Sequence, residues 1–317
     1  MNKVEKIFFN NQWQLSNSKK KYSRNSFHYN NKYIYPDCNS QDLKKVILSA
    51  EQGLKINSEL SYKTKSKFLY SIYKGILINI KILARLEASE TGKLLKQAEQ
   101  EIQHAANIWL HASKITKNLD YKKKLDKLHD GLVVYEPVGI VSLIVPWNFP
   151  FIVASERLPY ILAAGNSVII KPSEFASQSI YYLINIIKKN QYPSGIINLI
   201  TGIGDNIGKK IVNNKEINMI SFTGSTKVGK KIMSSSGKTI KRLSLELGGK
   251  NSLIALEDAH IKNTVDIIIK GFTLNAGQTC VATSKVLVHH KIKKTLIDSL
   301  VKELSKIKNF KKIYGPI

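Results

Sequence analysis

Hydrophobic residues between positions 138 and 233 occur in short runs that alternate with helical patterns. The runs are Val/Ile-rich and nearly continuous: VGIVSLIV, SVIIKP, GIINLIT and NMISFTG. Between and after them, apolar residues recur at helical spacing over 153–164, 178–189, 205–212 and 226–233. Strands that are apolar on both faces are typical of a parallel sheet covered by helices on both sides. The pattern predicts a doubly wound α/β sheet.

The chain before this sheet predicts a short strand pair and then helices. Residues 8–13, FFNNQW, indicate a strand and a turn, and a polar, Asn-rich stretch without a predicted element follows them. Residues 40–115 have a helical pattern in which Ser40 can act as the first N-cap. A second helix is predicted through Phe68 and Leu83, ending near Gly92. We interpret these helices as scaffold without chemistry.

One cysteine stands among small and polar residues where an apolar segment ends. In the stretch GFTLNAGQTCVATSK, Cys280 follows Asn275, Gly277 and Gln278. A structural cysteine usually has large apolar neighbours, whereas this run suits a backbone that turns beside a ligand. Cys280 is therefore a candidate nucleophile, and an inert thiol is the alternative. After it come a strand, KVLVHH, and an amphipathic helix with Leu296, Leu300, Leu304 and Ile307 on one side.

The charge of the chain raises the question of nucleic-acid binding. The formal net charge is +26, and a basic surface attracts phosphate whatever the fold. Of the 49 basic residues only four are arginines, which leaves 45 lysines spread along the chain. Proteins that read bases and phosphates selectively tend to use the planar fork of arginine. We therefore expect solvated lysines and no specific nucleic-acid partner.

The remaining composition points to a cytoplasmic protein. Cys38 and Cys280 are the only cysteines, too few for a disulfide framework and without the spacing of a metal site. No long apolar run marks a membrane span, and the N-terminus lacks the pattern of a signal peptide. We expect a reducing compartment, no membrane and no metal.

Three further motifs join the cysteine stretch: VPWNFP (145–150), FTGSTKVG (222–229) and LELGGKN (245–251). In this order, and followed by NAGQTC, they resemble the aldehyde dehydrogenase superfamily over about residues 8–317. The resemblance implies a Rossmann-like cofactor domain followed by the first part of a second α/β catalytic domain. We place the first in residues 1–247 and the second, incomplete, in 248–317.

The resemblance also implies a reaction and three catalytic residues. Cys280 would attack an aldehyde carbonyl, and hydride would pass from the thiohemiacetal to a nicotinamide. Asn148 would stabilise the oxyanion with the Cys280 backbone N–H, and Glu246 would be the general base that hydrolyses the thioester. For Glu246, an ordinary carboxylate at a strand end is the alternative. We expect the carboxamide, carboxylate and thiol to meet at the mouth of a nucleotide cleft.

Cofactor residues are implied at the ends of the strands. Gly224 and Ser225 would hold the dinucleotide pyrophosphate where a strand turns into a helix, or would form only a structural cap. Trp147 lines the same turn as Asn148. Gly248, with its neighbour Gly249, would let the backbone pass close to the nicotinamide.

Lys171 and Glu174 follow the SVII strand, where an adenosine ribose would sit in the family's mode of binding. A carboxylate there accepts bonds from both ribose hydroxyls and repels a 2′-phosphate, so Glu174 favours NAD, with NADP possible. An exposed Lys/Glu pair at a helix start is the alternative. A second glycine cluster, Gly202, Gly204 and Gly208, has weak fingerprint spacing, and we interpret it as a tight turn that opens a helix.

Residues 116–137 resemble the family's protruding hairpin, which implies a homo-oligomer; a solvated surface hairpin is the alternative.

Lys285 stands where the family usually has arginine. Lysine keeps the positive charge but lacks the planar guanidinium fork of arginine. Gly315-Pro316 resembles a motif near the middle of the family's catalytic domain, and the family's later motifs are absent from this sequence.

Three functions fit these observations. The first is NAD(P)-dependent oxidation of an aldehyde to a carboxylic acid, with part of the fold supplied elsewhere. The second is a truncated, inactive remnant that keeps a nucleotide-binding fold. The third is a basic module that binds nucleic acid.

Overall fold

The structure, a computed structural model, describes residues 5–27, 31–119, 122–124 and 131–306. The strands are β1 (Ile7–Phe9), β2 (Gln12–Gln14), β3 (Lys21–Asn25), β4 (Lys32–Pro36), β5 (Lys122–Lys124), β6 (Leu132–Val134), β7 (Ile140–Ile144), β8 (Ser167–Lys171), β9 (Ile197–Leu199), β10 (Met219–Gly224), β11 (Arg242–Leu247), β12 (Asn251–Ala255) and β13 (Thr283–Val288). The α-helices are α1 (Ser40–Glu59), α2 (Tyr62–Ile78), α3 (Ile80–Thr91), α4 (Leu95–Thr116), α5 (Pro150–Ala163), α6 (Gln178–Lys189), α7 (Lys209–Asn213), α8 (Thr226–Ser236), α9 (Ile261–Thr273) and α10 (Lys293–Ser305).

The main sheet has the order β11-β10-β7-β8-β9-β1-β2. The strands from β11 to β9 are parallel, and β1 and β2 extend the sheet in antiparallel fashion. The chain moves outward from β7 through β8 and β9, and then continues on the other side of β7 with β10 and β11. This reversal creates a switch point between β7 and β10, and open α/β sheets bind ligands at the carboxyl ends of strands beside such a point.

Helices cover both faces of this sheet, as the hydrophobic pattern predicts. Successive residues of β8 alternate between two cores: Val168 and Ile170 pack with α2–α6, and Ile169 packs with α1, α7 and α8. Trp109 is fully buried in the first core, and its Nε1 donates to Ser155 Oγ at 3.1 Å. The predicted doubly wound fold is therefore confirmed.

A glycine allows helix α1 to contact the backbone of the turn before β9. A Cβ built on Gly53 would lie 2.0 Å from the carbonyl carbon of Gly195, so only glycine fits there. Polar groups fix the same helix: the Ser49 hydroxyl donates to Asn198 Oδ1 at 2.7 Å, and Asn57 donates to two backbone carbonyls. The helix is thus locked in position by backbone contact and buried hydrogen bonds.

The helical boundaries differ from the sequence prediction at two asparagines. The N-cap of α1 is Asn39 and not Ser40: its side chain accepts from the backbone of Asp42, whose carboxylate accepts in return from the Asn39 N–H. The predicted second helix is broken at Asn79, which separates α2 from α3 and accepts a bond from the Tyr182 hydroxyl. Both residues are fixed by side-chain bonds that apolar spacing does not reveal.

Two hairpins lie outside the main sheet. Strands β3 and β4 pair in the Asn-rich stretch for which the sequence predicts no element. Strands β5 and β6 pair antiparallel within the predicted hairpin at 116–137. Residues 125–130, between these two strands, lie outside the described part of the chain, as do Ile307 and Gly315-Pro316.

A second, two-stranded parallel sheet of β12 and β13 follows the main one, with α9 and α10 packed against it. The predicted division after residue 247 falls between the two sheets. None of the described helices is both long and apolar enough to cross a membrane.

We predict that Gly53→Ala lowers the free energy of unfolding, although alanine favours helix formation. The new methyl group would meet the Gly195 backbone, and overpacking of this kind costs about 1–3 kcal/mol. Gly237→Ala is the matched control, because nothing lies within 4 Å of its added Cβ. Urea unfolding of both variants measures the difference. Equal stability of the two would contradict the close approach of α1 to the sheet.

Candidate active site

Asn148 lies in the turn between β7 and α5, at the carboxyl end of the first parallel strand. Its Nδ2 donates to the carbonyl oxygen of Gln278 at 2.8 Å, across 130 positions of sequence. In return, Asn275 Nδ2 donates to the Asn148 carbonyl at 3.2 Å. The structure therefore brings together Asn148 and the segment that carries Cys280.

The cysteine loop, residues 274–280, has a strained backbone. Asn275, Ala276 and Gly277 are consecutive left-handed residues with φ values of 49°, 56° and 78°. Asparagine and glycine adopt this conformation readily, whereas it is unfavourable for alanine. The contacts to Asn148 hold one side of the loop, and Asn251 at the start of β12 donates from Nδ2 to the Cys280 carbonyl. Strain held by surrounding contacts is a common feature of functional sites.

The two cysteines have opposite environments. Cys280 is exposed, whereas Cys38 is fully buried beneath the main sheet. Burial and, secondarily, the negative charge of Asp42 raise the pKa of the Cys38 thiol to about 12. Of the two thiols, Cys280 is thus the one that a solute can reach.

Glu246 lies near the end of β11, in register with Thr223 of β10. Its Oε1 is 3.1 Å from Nη2 of Arg157, which is carried by the helix that begins just after Asn148. The Glu246 side chain is 59% exposed, so water reaches the carboxylate. Sequence reasoning assigned Arg157 no role. The signal that could have found it is its rarity, since it is one of four arginines among 49 basic residues.

A buried ionic cluster packs against Phe149, the residue after Asn148. The ammonium of Lys93 lies 2.6 Å from Glu101 and 3.4 Å from Glu87, and 4.4 Å from the centre of the Phe149 ring. Burial and the nearby Glu87 raise the pKa of Glu101 to about 8, although Lys93 opposes the shift. Phe149 is thereby held by a cation over its ring. From the sequence alone, we interpret the helices that carry these three residues as scaffold. In the structure, the cluster contacts the turn that carries Asn148.

The strand end after β8 carries the predicted Lys171 and Glu174. Lys171 is buried, and its Nζ lies 3.4 Å from Glu174 Oε2, while Oε1 of Glu174 accepts from the Gly204 N–H at 3.3 Å. Burial lowers the pKa of Lys171 and the Glu174 charge opposes that shift. Burial opposes ionisation of Glu174, but Lys171 and backbone N–H groups outweigh it and hold its pKa below the ordinary value. The pair is therefore not the exposed one that the alternative supposed.

The second glycine cluster has the predicted structure and an additional contact. Gly202 has a φ of 146°, and a helical turn begins at Gly204 and leads into α7. Through Gly204 this turn fixes the Glu174 carboxylate, which links the ends of β8 and β9.

At the end of β10, Gly224 is followed by Ser225, the N-cap of α8. The Ser225 Oγ accepts from the Val228 N–H at 3.3 Å, so the structural cap exists. The next residue, Thr226, donates from Oγ1 to the carbonyl of Gly248 at 3.3 Å. This bond brings the turn after β10 against the turn after β11.

Open space borders the turn after β11. Nothing lies within 4 Å of a Cβ built on Gly248 or on Gly249, so both backbones border open space. Trp147, across the switch point, is 42% exposed. Trp147, Gly248 and Gly249 therefore border an open edge of the sheet, at the carboxyl ends of β7, β10 and β11.

Two cavities in the described part of the chain lie elsewhere. One, of about 560 Å³, is bordered by Trp13, Asn79 and Tyr182, and the other, of about 410 Å³, lies between Ile80 and α4. Neither is lined by Asn148, Glu246 or Cys280. Within the described residues, no three His, Cys, Asp or Glu side chains are grouped so that they could hold a metal ion.

Comparison with known proteins agrees with the predicted family. The model of the aldehyde dehydrogenase family matches residues 13–313. Betaine aldehyde dehydrogenase 1 of Oryza sativa subsp. japonica is 36% identical over 77% of this chain and 49% of its own length. The betaine aldehyde dehydrogenase of Bacillus subtilis (strain 168) is 32% identical over 84% of this chain and 56% of its own. The chain thus spans about half the length of these curated relatives.

Solved structures agree with the fold. An NAD-dependent aldehyde dehydrogenase from Sinorhizobium meliloti superimposes with a TM-score of 0.92 at 31% identity, covering 98% of this chain and 63% of that one. A betaine aldehyde dehydrogenase from Staphylococcus aureus in complex with NAD⁺ gives 0.91 at 29% identity, covering 96% and 61%. By its motifs, its sheet topology and these matches, the chain belongs to the aldehyde dehydrogenase family.

Proposed function

We propose that this chain carries the nucleotide-binding and nucleophilic parts of an enzyme that oxidises an aldehyde to a carboxylic acid with NAD. The observation that supports this most is the pair of hydrogen bonds between Asn148 and the cysteine loop. They join the loop that carries the exposed Cys280 to the Asn148 turn, at the carboxyl end of a parallel sheet, where such sheets bind ligands.

The residues of the site suit each step of this reaction. The Cys280 thiolate would attack the carbonyl carbon, which leaves a negative charge on the carbonyl oxygen. Asn148 uses one N–H of its amide for Gln278 and keeps a second, which, with the Cys280 backbone N–H, would stabilise that charge. Glu246 would take the proton of the water that hydrolyses the thioester. Its partner Arg157 orients the carboxylate from α5.

The residues that follow β8, β10 and β11 support binding of a dinucleotide. The first turn of α8 after Gly224-Ser225 offers backbone N–H groups for a pyrophosphate, and the backbone of Gly248 borders open space beside it. Glu174, ionised and fixed by Lys171 and Gly204, would accept from the ribose hydroxyls. When bound, the cofactor supplies the hydride acceptor.

The first substrates to test follow from the relatives, which are named for betaine aldehyde and for aminoaldehydes. We expect the chain, together with the remainder of the family fold, to reduce NAD with such an aldehyde, measured as NADH absorbance. Cys280→Ala should abolish the signal, and Glu246→Gln should slow turnover after the first NADH is formed. NAD binding without any NADH in the assembled protein would favour an inactive remnant. Steeply salt-dependent nucleic-acid binding without NAD binding would favour the basic module.

The thiols provide a test that needs no cofactor. With an aromatic disulfide reagent at pH 8, we expect one fast and one slow thiol, at rates that differ by at least roughly a hundredfold. Cys280→Ser should remove the fast phase, and the matched variant Cys38→Ser only the slow one. A fast phase that survives in Cys280→Ser would contradict the assignment of the accessible thiol.

Cofactor preference tests Glu174. We expect the wild-type chain to bind NAD more tightly than NADP by titration calorimetry. Glu174→Gln, which removes the charge and keeps the shape, should reduce the ratio of the two affinities by about tenfold, or about 1.4 kcal/mol. Glu156→Gln, on the exposed side of α5, is the control. An unchanged ratio would remove Glu174 from the ribose site.

A further inference from the structure

The loop between β8 and α6, residues 172–177, carries Glu174 and is held by elements from distant parts of the chain. We call it the Glu174 loop. Helix α3 fixes its end, because Glu90 Oε2 accepts from the N–H groups of Ser177 and Gln178 at 2.7 and 2.5 Å. The helical turn at Gly204 fixes the Glu174 carboxylate. The middle of the loop is contacted by a side chain of the hairpin β3–β4, for which the sequence predicts no element.

That side chain is Arg24 of β3. Exposure alternates along this strand, and Arg24 is one of its half-buried residues, so it faces the protein. Its Nε donates to the carbonyl oxygen of Glu174 at 2.8 Å, across 150 positions of sequence. Its Cζ lies 4.1 Å from the centre of the Phe175 ring, although Phe175 is 51% exposed. Both contacts use the fixed N–H and the flat face of a guanidinium.

The other strand of the hairpin supports the same carboxylate from a second side. Asp37, directly after β4, is buried, and its Oδ1 accepts from the Ile203 N–H at 3.0 Å and from Asn206 Nδ2 at 3.2 Å. These bonds fix the turn whose Gly204 N–H donates to Glu174. Because β3 and β4 are paired, one hairpin holds both the backbone of Glu174 and the turn that binds its carboxylate.

An arginine that served only the hairpin would find its partners within it. Arg24 is opposite Tyr33 in the hairpin register, yet its guanidinium contacts Glu174 and Phe175 of the Glu174 loop. The contacts therefore connect the hairpin to the residue that the proposed function assigns to the ribose.

We propose that Arg24 is a positioning residue for the cofactor, which fixes the backbone at Glu174 so that the carboxylate meets the ribose hydroxyls of NAD. The inference deepens the proposed function and rests on it for the role of Glu174. Arg24 acts through Glu174, because its hydrogen bond ends on the carbonyl oxygen of that residue.

The first test is a double-mutant cycle with NAD, measured by titration calorimetry on this chain. Arg24→Met removes the N–H and the planar cation and keeps an unbranched stem. We expect it to weaken NAD binding at least about fivefold in the wild-type chain but less than about twofold beside Glu174→Ala, because residues that act on one group are not additive. Arg85→Met, at an exposed position of α3, is the matched control and should leave the affinity unchanged.

The second test needs no cofactor. Burial opposes ionisation of Glu174, but Lys171 and backbone N–H groups outweigh it and hold its pKa below the ordinary value. In Arg24→Met the released loop should loosen these contacts, so the pKa of Glu174 should rise towards the ordinary value. Carboxylate ¹³C NMR follows the titration, and the resonance that disappears in Glu174→Ala identifies the residue. Arg85→Met should titrate as wild type.

Circular dichroism and urea unfolding establish that each variant folds. If Arg24→Met does not fold, Arg24→Lys, which keeps the charge and lacks the planar fork, takes its place with the same expected directions.

Three results would overturn the proposal. They are unchanged NAD affinity in the Arg24 variant, an equal loss of affinity with and without the Glu174 carboxylate, and an unchanged pKa of Glu174. The second would make Arg24 a merely structural residue or a distant charge. Failure of the proposed function would look different, because the wild-type chain would not bind NAD while the Arg24 variant still raised the pKa of Glu174.

Discussion

The amide of Asn148 joins two parts of the molecule that are otherwise weakly connected. On one side is the seven-stranded sheet with a large core on each face; on the other is a small unit whose described core has four buried apolar residues. The bonds from Asn148 to Gln278 and from Asn275 to Asn148 cross this boundary. The loop that carries the thiol is thus positioned by contacts between the large unit and the small one.

On the side of the main sheet, a buried ionic cluster lies next to that contact. The cluster of Lys93, Glu87 and Glu101 is buried and lies against Phe149, next to Asn148. Removing one member of a buried ionic group leaves an uncompensated charge, so such clusters define one arrangement of their surroundings. On the opposite side, the left-handed backbone at Ala276 stores strain that only the bonds around it maintain. The geometry of the loop therefore depends on Asn148 and Asn251.

In the described part of the chain, the second unit is a two-stranded sheet with α9 and α10 packed against it. Ile254 and Leu287 face away from the helices, and the strand edges are open in the described structure. Glu246 lies at the border, since β11 is the last strand of the main sheet before the chain enters the second unit.

The sequence by itself determined the parallel strands, the helices between them and the motifs at the strand ends, because each leaves a local record in apolar spacing or turn residues. In the structure, Asn148, Glu246 and Gly224 lie at or near the carboxyl ends of their strands. Only the tertiary structure showed that Asn39 caps α1, that Asn79 separates α2 from α3, and that Arg157 engages Glu246. The same holds for the contact of Gly204 with Glu174. These arrangements depend on hydrogen bonds and ion pairs with particular partners, several of them far away in the chain, and neither apolar periodicity nor a local motif encodes such partners.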